Sequence, residues 1–233
     1  MLSYRRLSRG ATQEDGVMRL FIEPEERFVA RLALEKSKVV VAVGFCQKPL
    51  VPPCPAGRPN HDCRYFDGLD LQSEVRGADP ACAGCEVRRI GTLALHAGAS
   101  MHIMTSAMDI ARDVMLPSIE KRRFSSVIMC LCPYSVQAIA PPLIICRLQG
   151  YLMGYESGNC ANWEQWLRAD EGIKDEVTTL GSAAEDKVAS VLTGIADAIG
   201  GESQEYVRYT REGNIYVPVP SNEASLQHPA DSL

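Results

Sequence analysis

The chain lacks a net positive charge, and that absence is informative first. With 24 Lys and Arg against 29 Asp and Glu, its formal net charge is −5 and its pI about 5.5, so no overall basic field exists to collect nucleic acid or anionic lipid. Local clusters, Arg88-Arg89 and Lys121-Arg122-Arg123, read as solvated helix ends. No window approaches the roughly eighteen uncharged apolar residues that a membrane-spanning helix requires. The start, Met1 to Leu7, carries charge but no apolar segment after it, so no secretory signal is expected. Internal repeats and low-complexity tracts are missing. So are a glycine-rich phosphate loop, a Ser-His-Asp order and an HExxH helix, which removes the commonest nucleotide, hydrolase and metalloprotease signatures.

What is present is cysteine. Nine cysteines in 233 residues, without an export signal, point to a reducing cytoplasm, where metal or catalytic use is favoured over a disulfide framework. Cys54 and Cys63 are followed, after eighteen residues, by Cys82-Ala83-Gly84-Cys85. A pair two residues apart lets both sulfurs face one point, and soft thiolates select zinc, copper(I) or iron–sulfur clusters. The loop holds Pro52, Pro53, Pro55, Pro59 and Pro80 and few apolar residues, so a metal or cluster is expected to order it. Zinc sites more often use two close pairs, whereas cluster sites commonly include a Cys-Pro step, and both Cys54-Pro55 and Cys132-Pro133 occur. A [4Fe–4S] cluster on Cys54, Cys63, Cys82 and Cys85 is therefore the leading expectation, with a zinc knot that merely pins the loop as the alternative. A thioredoxin-type pair would need Cys82 directly after a strand, and Gly77-Ala78-Asp79-Pro80-Ala81 precedes it instead.

The rest of the chain alternates strand and helix. Residues 1–17 read as an irregular lead-in and Met18 to Glu23 as a short strand. Pro24-Glu25-Glu26 then opens a helix to about Lys36 with Phe28, Val29, Leu32 and Ala33 on one face. Val39-Val40-Val41-Ala42-Val43 is the continuous run of a buried parallel strand, ending on Cys46. A helix from Glu86 to Ala97 ends at Gly98, and a strand spans Ser100 to Thr105. Ser106 caps a helix with the stripe Met108, Ala111, Met115 and Ile119, and a strand runs from Ser125 to Cys132. Residues 134–148 read as helix interrupted at Pro141-Pro142, and Gly150 to Glu156 as a fourth strand before Cys160. Helices follow at about Ala161 to Glu176 and Ala183 to Ile199, then a hairpin around Arg211-Glu212-Gly213-Asn214 and a disordered polar tail.

This order predicts an α/β fold, a parallel sheet with helices on both faces in three layers, plus a helical C-terminal extension and a small hairpin that is a candidate dimerisation element. The divisions are 1–37 for the lead-in strand and helix, 38–200 for the cysteine-rich metal or cluster domain, and 201–233 for the hairpin and tail. In parallel sheets, sites form outside the carboxyl ends of the strands. That rule adds Cys46, Cys132 and Cys160 as a second set, able to complete a second cluster or supply a reactive thiol. Cys130 and Cys146 are assigned to core, His96 and His102 to packed regular elements. His61 and Asp62 are candidates for a proton donor or substitute ligand, against a plain solvated loop role.

The chain also resembles a cysteine-rich bacterial and archaeal family, a domain of unknown function suspected of iron–sulfur binding. The likeness covers residues 39–162 and rests on Phe45-Cys46, the helix-opening Cys82 to Cys85 and the strand, Ser-tipped turn and helix from Ser100 to Met115. It continues through the strand Val127 to Cys132 and Leu148-Gln149-Gly150-Tyr151-Leu152-Met153 leading to Gly158-Asn159-Cys160. The resemblance implies cluster binding and leaves the reaction open. The expected function is thus redox or cluster-dependent chemistry on a small molecule, as an iron–sulfur oxidoreductase or another cluster-dependent enzyme, with a small-molecule substrate or a redox partner protein, and with no nucleic-acid or membrane partner. The rival is a zinc-stabilised binding or scaffold protein without catalysis. A metal-free thiol enzyme is the third.

Overall fold

The computed structural model describes residues 12–71, 79–198 and 206–221. The expectations for 1–11 and for the tail beyond residue 221 lie outside the described residues. The run of valines does what its composition requires. β3 (Val39–Gly44) is wholly buried and hydrogen-bonds in parallel to β4 (Ser100–Met104) on one side and β5 (Ser126–Leu131) on the other; β5 pairs in parallel with β6 (Gln149–Ser157). Alternate residues of these strands enter different cores. Val39, Val41, Val43 and Ile128 pack with the helices α1 (Glu25–Leu34), α3 (Glu86–His96) and α7 (Ser182–Asp197). Val40, Ala42, Val127 and Met129 pack with the helical stretch α4 (Ala107–Asp109 through Leu116–Lys121) and with α5 (Pro133–Ile145).

The expectation of a parallel sheet is corrected to a mixed one. β1 (Thr12–Glu14) and β2 (Val17–Arg19) add antiparallel strands beside β6, so the expected strand at Met18 to Glu23 begins earlier and is half of a hairpin. At the other edge β9 (Ile215–Pro220) pairs antiparallel with β4 and carries β8 (Tyr206–Glu212). The order is β1-β2-β6-β5-β3-β4-β9-β8, with β7 (Thr179–Leu180) pairing β6 off this path. The terminal hairpin is therefore part of the sheet. Its outer strand is itself met by the Asp70 to Arg208 bridge and by Leu71 N–H donating to the Val207 carbonyl at 2.8 Å.

Three helical expectations also change. Met108 and Ile119 point to solvent at 74% and 59% exposure, while Ile110, Val114 and Met115 are buried. The cause is a π-wound stretch at Ile110–Met115 inside α4. Pro117 has no N–H for the Asp113 carbonyl and its ring crowds that group, so the preceding turn widens and the apolar stripe rotates. In α5 the prolines interrupt nothing. Pro141 and Pro142 lie inside a continuous helix, where burial of Val136, Ala140, Leu143 and Ile144 outweighs the two lost backbone donors. The helix after Cys160, α6, is only Trp163–Asp170. His96 is exposed, but His102 is fully buried as expected.

Candidate functional site

From β3 the chain steps to β4 on one side, and from β5 to β6 on the other. The crevice between β3 and β5 is the point where connections diverge, the place where open α/β sheets bind ligands. Cys46 follows β3 in the turn Phe45–Gln47, Cys132 caps α5 directly after β5, and Cys160 comes three residues past β6. All three line one cavity of about 440 Å³. Their charges act on one another, and Lys174 faces Cys46 and Cys132.

Two thiols of this group, Cys46 and Cys132, are held by neighbours. Cys46 bonds to Thr178 through its thiol, and its carbonyl accepts from Arg58 Nη2 at 2.9 Å and from Thr178 N–H at 3.2 Å. The Tyr134 hydroxyl bonds to Cys132. Burial pushes the Cys132 thiol up to about 11, and pushes Cys46 up as well. The Cys46 and Cys132 thiols are therefore neutral at neutral pH and become donors only where a cation displaces the proton. Gly44 permits the approach. A Cβ there would lie 2.9 Å from both Cys46 Sγ and Tyr155 Oη. Tyr155 Oη accepts from Gly44 N–H at 2.9 Å and donates to the Cys130 carbonyl at 2.7 Å. Cys130 is buried and lines the same cavity, and Cys146 is the half-buried C-cap of α5.

The second group is Cys54, Cys63, Cys82 and Cys85. Three segments bring it together. Cys54 lies in the loop, Cys63 is the N-cap of the short helix α2 (Arg64–Asp67), and Cys82 and Cys85 sit in and after the turn Pro80–Cys82, Cys85 capping α3. Cys54 lies within electrostatic reach of Cys63, Cys82 and Cys85, and Cys85 within reach of Cys63 and Cys82. The Cys63 thiol accepts from the N–H groups of Phe66 and Tyr65, and Cys85 from Arg88 and Val87. Burial still wins, pushing Cys63 up to about 12 and Cys82 and Cys85 upward. None of these four thiols lines the cavity that Cys46, Cys132 and Cys160 share.

Lys48 organises the second set, and no sequence signal announced it. Its side chain is 1% exposed, and the ammonium donates to Asn60 Oδ1 at 2.6 Å, the Asn60 carbonyl at 2.9 Å and the Gly57 carbonyl at 3.1 Å. Asn60 in turn donates to the Ala56 carbonyl at 2.7 Å and accepts from Asp62 N–H at 2.9 Å. The loop is wound round a buried cation, which faces Cys54, Cys63 and Cys85; desolvation lowers its pKa and these thiols and Asp62 act to raise it. Outside anchors complete the seat. Cys63 N–H donates to Tyr216 Oη at 2.8 Å, Arg211 pairs with Asp62 at 2.6 Å, and His61 Nδ1 lies 2.7 Å from the Ile103 carbonyl. Gly91 of α3 is the close approach that admits Phe66, since a Cβ there would lie 2.0 Å from the ring.

No family model, curated protein or solved structure matches this chain. Among the described residues, no group of three or more His, Cys, Asp or Glu side chains is arranged to hold a metal ion. By chemistry alone the donor set fits a soft centre: all four groups are thiols, and the buried ammonium of Lys48 faces Cys54, Cys63 and Cys85, where it would offset thiolate charge. His61 and Asp62, by contrast, serve the loop's anchoring. His61 stacks on His102 with ring centroids 5.6 Å apart, and its Nε2 is 3.7 Å from Asp109. Among the described residues, no helix is long and apolar enough to cross a membrane.

Proposed function

We propose that this chain is an iron–sulfur protein in which Cys54, Cys63, Cys82 and Cys85 hold a [4Fe–4S]-type cluster, working in the cytoplasm on a small molecule bound at the neighbouring strand ends of a three-layer α/β fold. The observation that carries the proposal is that Cys54, Cys63 and Cys85, from three chain segments, face the buried ammonium of Lys48, with Cys82 within electrostatic reach of Cys54 and Cys85. The cysteine-rich family that the sequence resembles points the same way. When bound, such a cluster supplies one-electron transfer, or Lewis-acid chemistry at an iron that keeps an open position.

The chain's own residues would do the rest. Lys48 orders the loop and balances its charge. Cys63 and Cys85, each capping a helix, meet backbone N–H groups that favour the thiolate once a cation displaces the protons. Arg58, 7% exposed, ties the loop to the Cys46 carbonyl and so links the two cysteine sets. Cys46, Cys132 and Cys160 form the wall of the small-molecule site.

Anaerobic purification with iron, acid-labile sulfide and zinc determinations tests the proposal. A brown protein with broad absorbance near roughly 400 nm, iron and sulfide in matching amounts, and their loss in Cys82→Ser and Cys85→Ser is the expected result. A colourless protein carrying stoichiometric zinc overturns it in favour of the scaffold alternative.

A further inference from the structure

The cavity between the ends of β3 and β5 is almost devoid of free charge. Among the described residues that line it, Lys174 is the one cation, and its ammonium already donates to the Gly158 carbonyl and, at 2.6 Å, to Thr178 Oγ1. None of the described lining residues is a carboxylate, and the Thr105 hydroxyl is committed to Asp109. A cation entering here would meet no lining carboxylate and an anion only one ammonium already engaged by two acceptors, too little to replace their hydration. What the walls offer instead is soft and apolar: the thiols of Cys46, Cys132 and Cys160, the thioether of Met104 and the rings of Phe45 and Trp166.

Trp166 gives this lining a direction. It stacks on Trp163 with ring centroids 4.5 Å apart and planes 15° from parallel, so its own plane is fixed from behind. Trp163 is 67% exposed, which leaves the stack at the cavity mouth rather than deep in the core. A flat ring sliding against Trp166 would present its edge to the sulfurs, and sulfur against an aromatic edge is a favourable contact. The volume of 440 Å³ falls in the range of sites that enclose a small organic molecule.

We infer that this cavity binds an uncharged, flat aromatic small molecule, with its face on Trp166 and its edge over Cys46, Cys132 and Cys160. The inference deepens the proposed function, since it names the class of molecule that the cluster-bearing chain acts on. It stands on the cavity alone and is testable apart from the cluster.

Trp163 and Trp166 are the chain's two tryptophans, so intrinsic fluorescence reports on this site directly. The full-length protein is titrated with 1-naphthol, with its anionic counterpart 1-naphthoate and with its saturated, puckered counterpart 1-decalol, by tryptophan quenching and by calorimetry. One equivalent of 1-naphthol is expected to bind at least tenfold more tightly than 1-naphthoate and several-fold more tightly than 1-decalol. Ala111→Phe, which fills space at the half-buried wall of α4, should weaken 1-naphthol at least tenfold with the circular dichroism spectrum unchanged. If that variant fails to fold, Trp166→Leu provides the second route, with a several-fold loss read by calorimetry. Absence of saturable binding, equal or tighter binding of 1-naphthoate or 1-decalol, or unchanged affinity in the folded variants overturns the inference. Iron and sulfide are measured on the same sample. A colourless protein that binds 1-naphthol removes the cluster and keeps the cavity; a brown one that does not bind keeps the cluster and removes the cavity.

Discussion

Cys46, Cys132 and Cys160 stand at or just beyond the ends of β3, β5 and β6, where parallel pairing fixes each of them relative to its neighbours, whereas Cys54 and Cys63 belong to a segment that has no helix or strand between Lys48 and Cys63. The first set is placed by the sheet and would be found there even if the loop were remade. The second set is placed by polar contacts to one buried ammonium and by anchors borrowed from β9, α3 and β4. A site built on sheet ends inherits the stability of the core; a site built on a wound loop depends on each contact that winds it. Changes in the loop and in the elements packed against it should therefore cost the second set more than the first.

The largest expected effect is that of Lys48→Met. It removes the ammonium but keeps an apolar stem of similar length, leaving the Gly57 and Asn60 acceptors without their donor. Orphaned buried acceptors cost about 1–3 kcal/mol each, and removing one partner of a buried charged network about 3–5 kcal/mol, so a loss of roughly 3–5 kcal/mol is expected. Urea unfolding checks the stability, and limited proteolysis should show new cleavage between residues 54 and 62. Stability unchanged within about 1 kcal/mol would mean that the loop is not held by its lysine.

Acid provides the next effect. Burial, opposed by Asp113, lowers His102 from 6.5 to about 4, with Asp113 Oδ2 3.5 Å from its Nε2 and His61, Asp109 and Arg112 around it. The folded state therefore binds fewer protons than the unfolded one between these two values, so stability is full above pH 6.5 and falls as pH drops towards 4. The shift corresponds to about 3 kcal/mol at the low end of that window. Asp113 titrates lower, at about 2, where Arg112 and Asn214 hold its carboxylate charged against the effect of burial, so its contribution is lost only below the window. Urea unfolding at a series of pH values should show the slope, and His102→Phe should flatten it.

A smaller effect comes from Gly91→Ala. Alanine in a helix gains about 1 kcal/mol over glycine. Here the new methyl would meet the Phe66 ring at 2.0 Å, and overpacking of that kind costs about 1–3 kcal/mol, so the net change is expected to be destabilising by roughly 1–2 kcal/mol. Because Phe66 lies three residues after Cys63, the iron and sulfide of the proposed cluster should fall along with stability. A stabilised Gly91→Ala protein would show that the ring has room to move and that α2 is seated less tightly than its contacts imply.

These three positions also mark what the sequence could and could not reveal. The β-branched run Val39 to Val43, the Ser106 cap and the apolar spacing of α7 carry their own local cause, and strand-end logic then located Cys46, Cys132 and Cys160 together. Lys48 has no local cause to read: it is one lysine after a strand, and its role exists only once Gly57 and Asn60 fold back on it. Gly91 matters only because Phe66, 25 positions earlier, packs on it. The stripe of α4 failed for a related reason, since the periodicity assumed a regular turn that Pro117 prevents. The hairpin around Arg211-Glu212-Gly213-Asn214 was legible, but its antiparallel pairing with β4, and the β1 and β2 edge beside β6, stayed hidden because a short strand does not encode its partner.

The smallest effect, and the sharpest question about the loop, belongs to Asp62→Asn. Asp62 pairs with Arg211 of β8 at 2.6 Å, but the two side chains are 49% and 35% exposed, and Arg211 also lies over the Tyr216 ring at 5.4 Å. An exposed pair of this kind is worth about 0.2–1 kcal/mol, because water screens it and ordering two side chains costs entropy. Asparagine keeps an acceptor for the guanidinium, and Arg211 keeps its aromatic contact. A change below about 0.5 kcal/mol, diminishing further at high salt, is therefore expected in urea unfolding. The Cys63 N–H bond to Tyr216 Oη, close to this pair, is buried and should go on holding the loop to β9. A loss above about 2 kcal/mol would reverse that order and make the charged contact, rather than the buried tyrosine, the anchor between loop and hairpin.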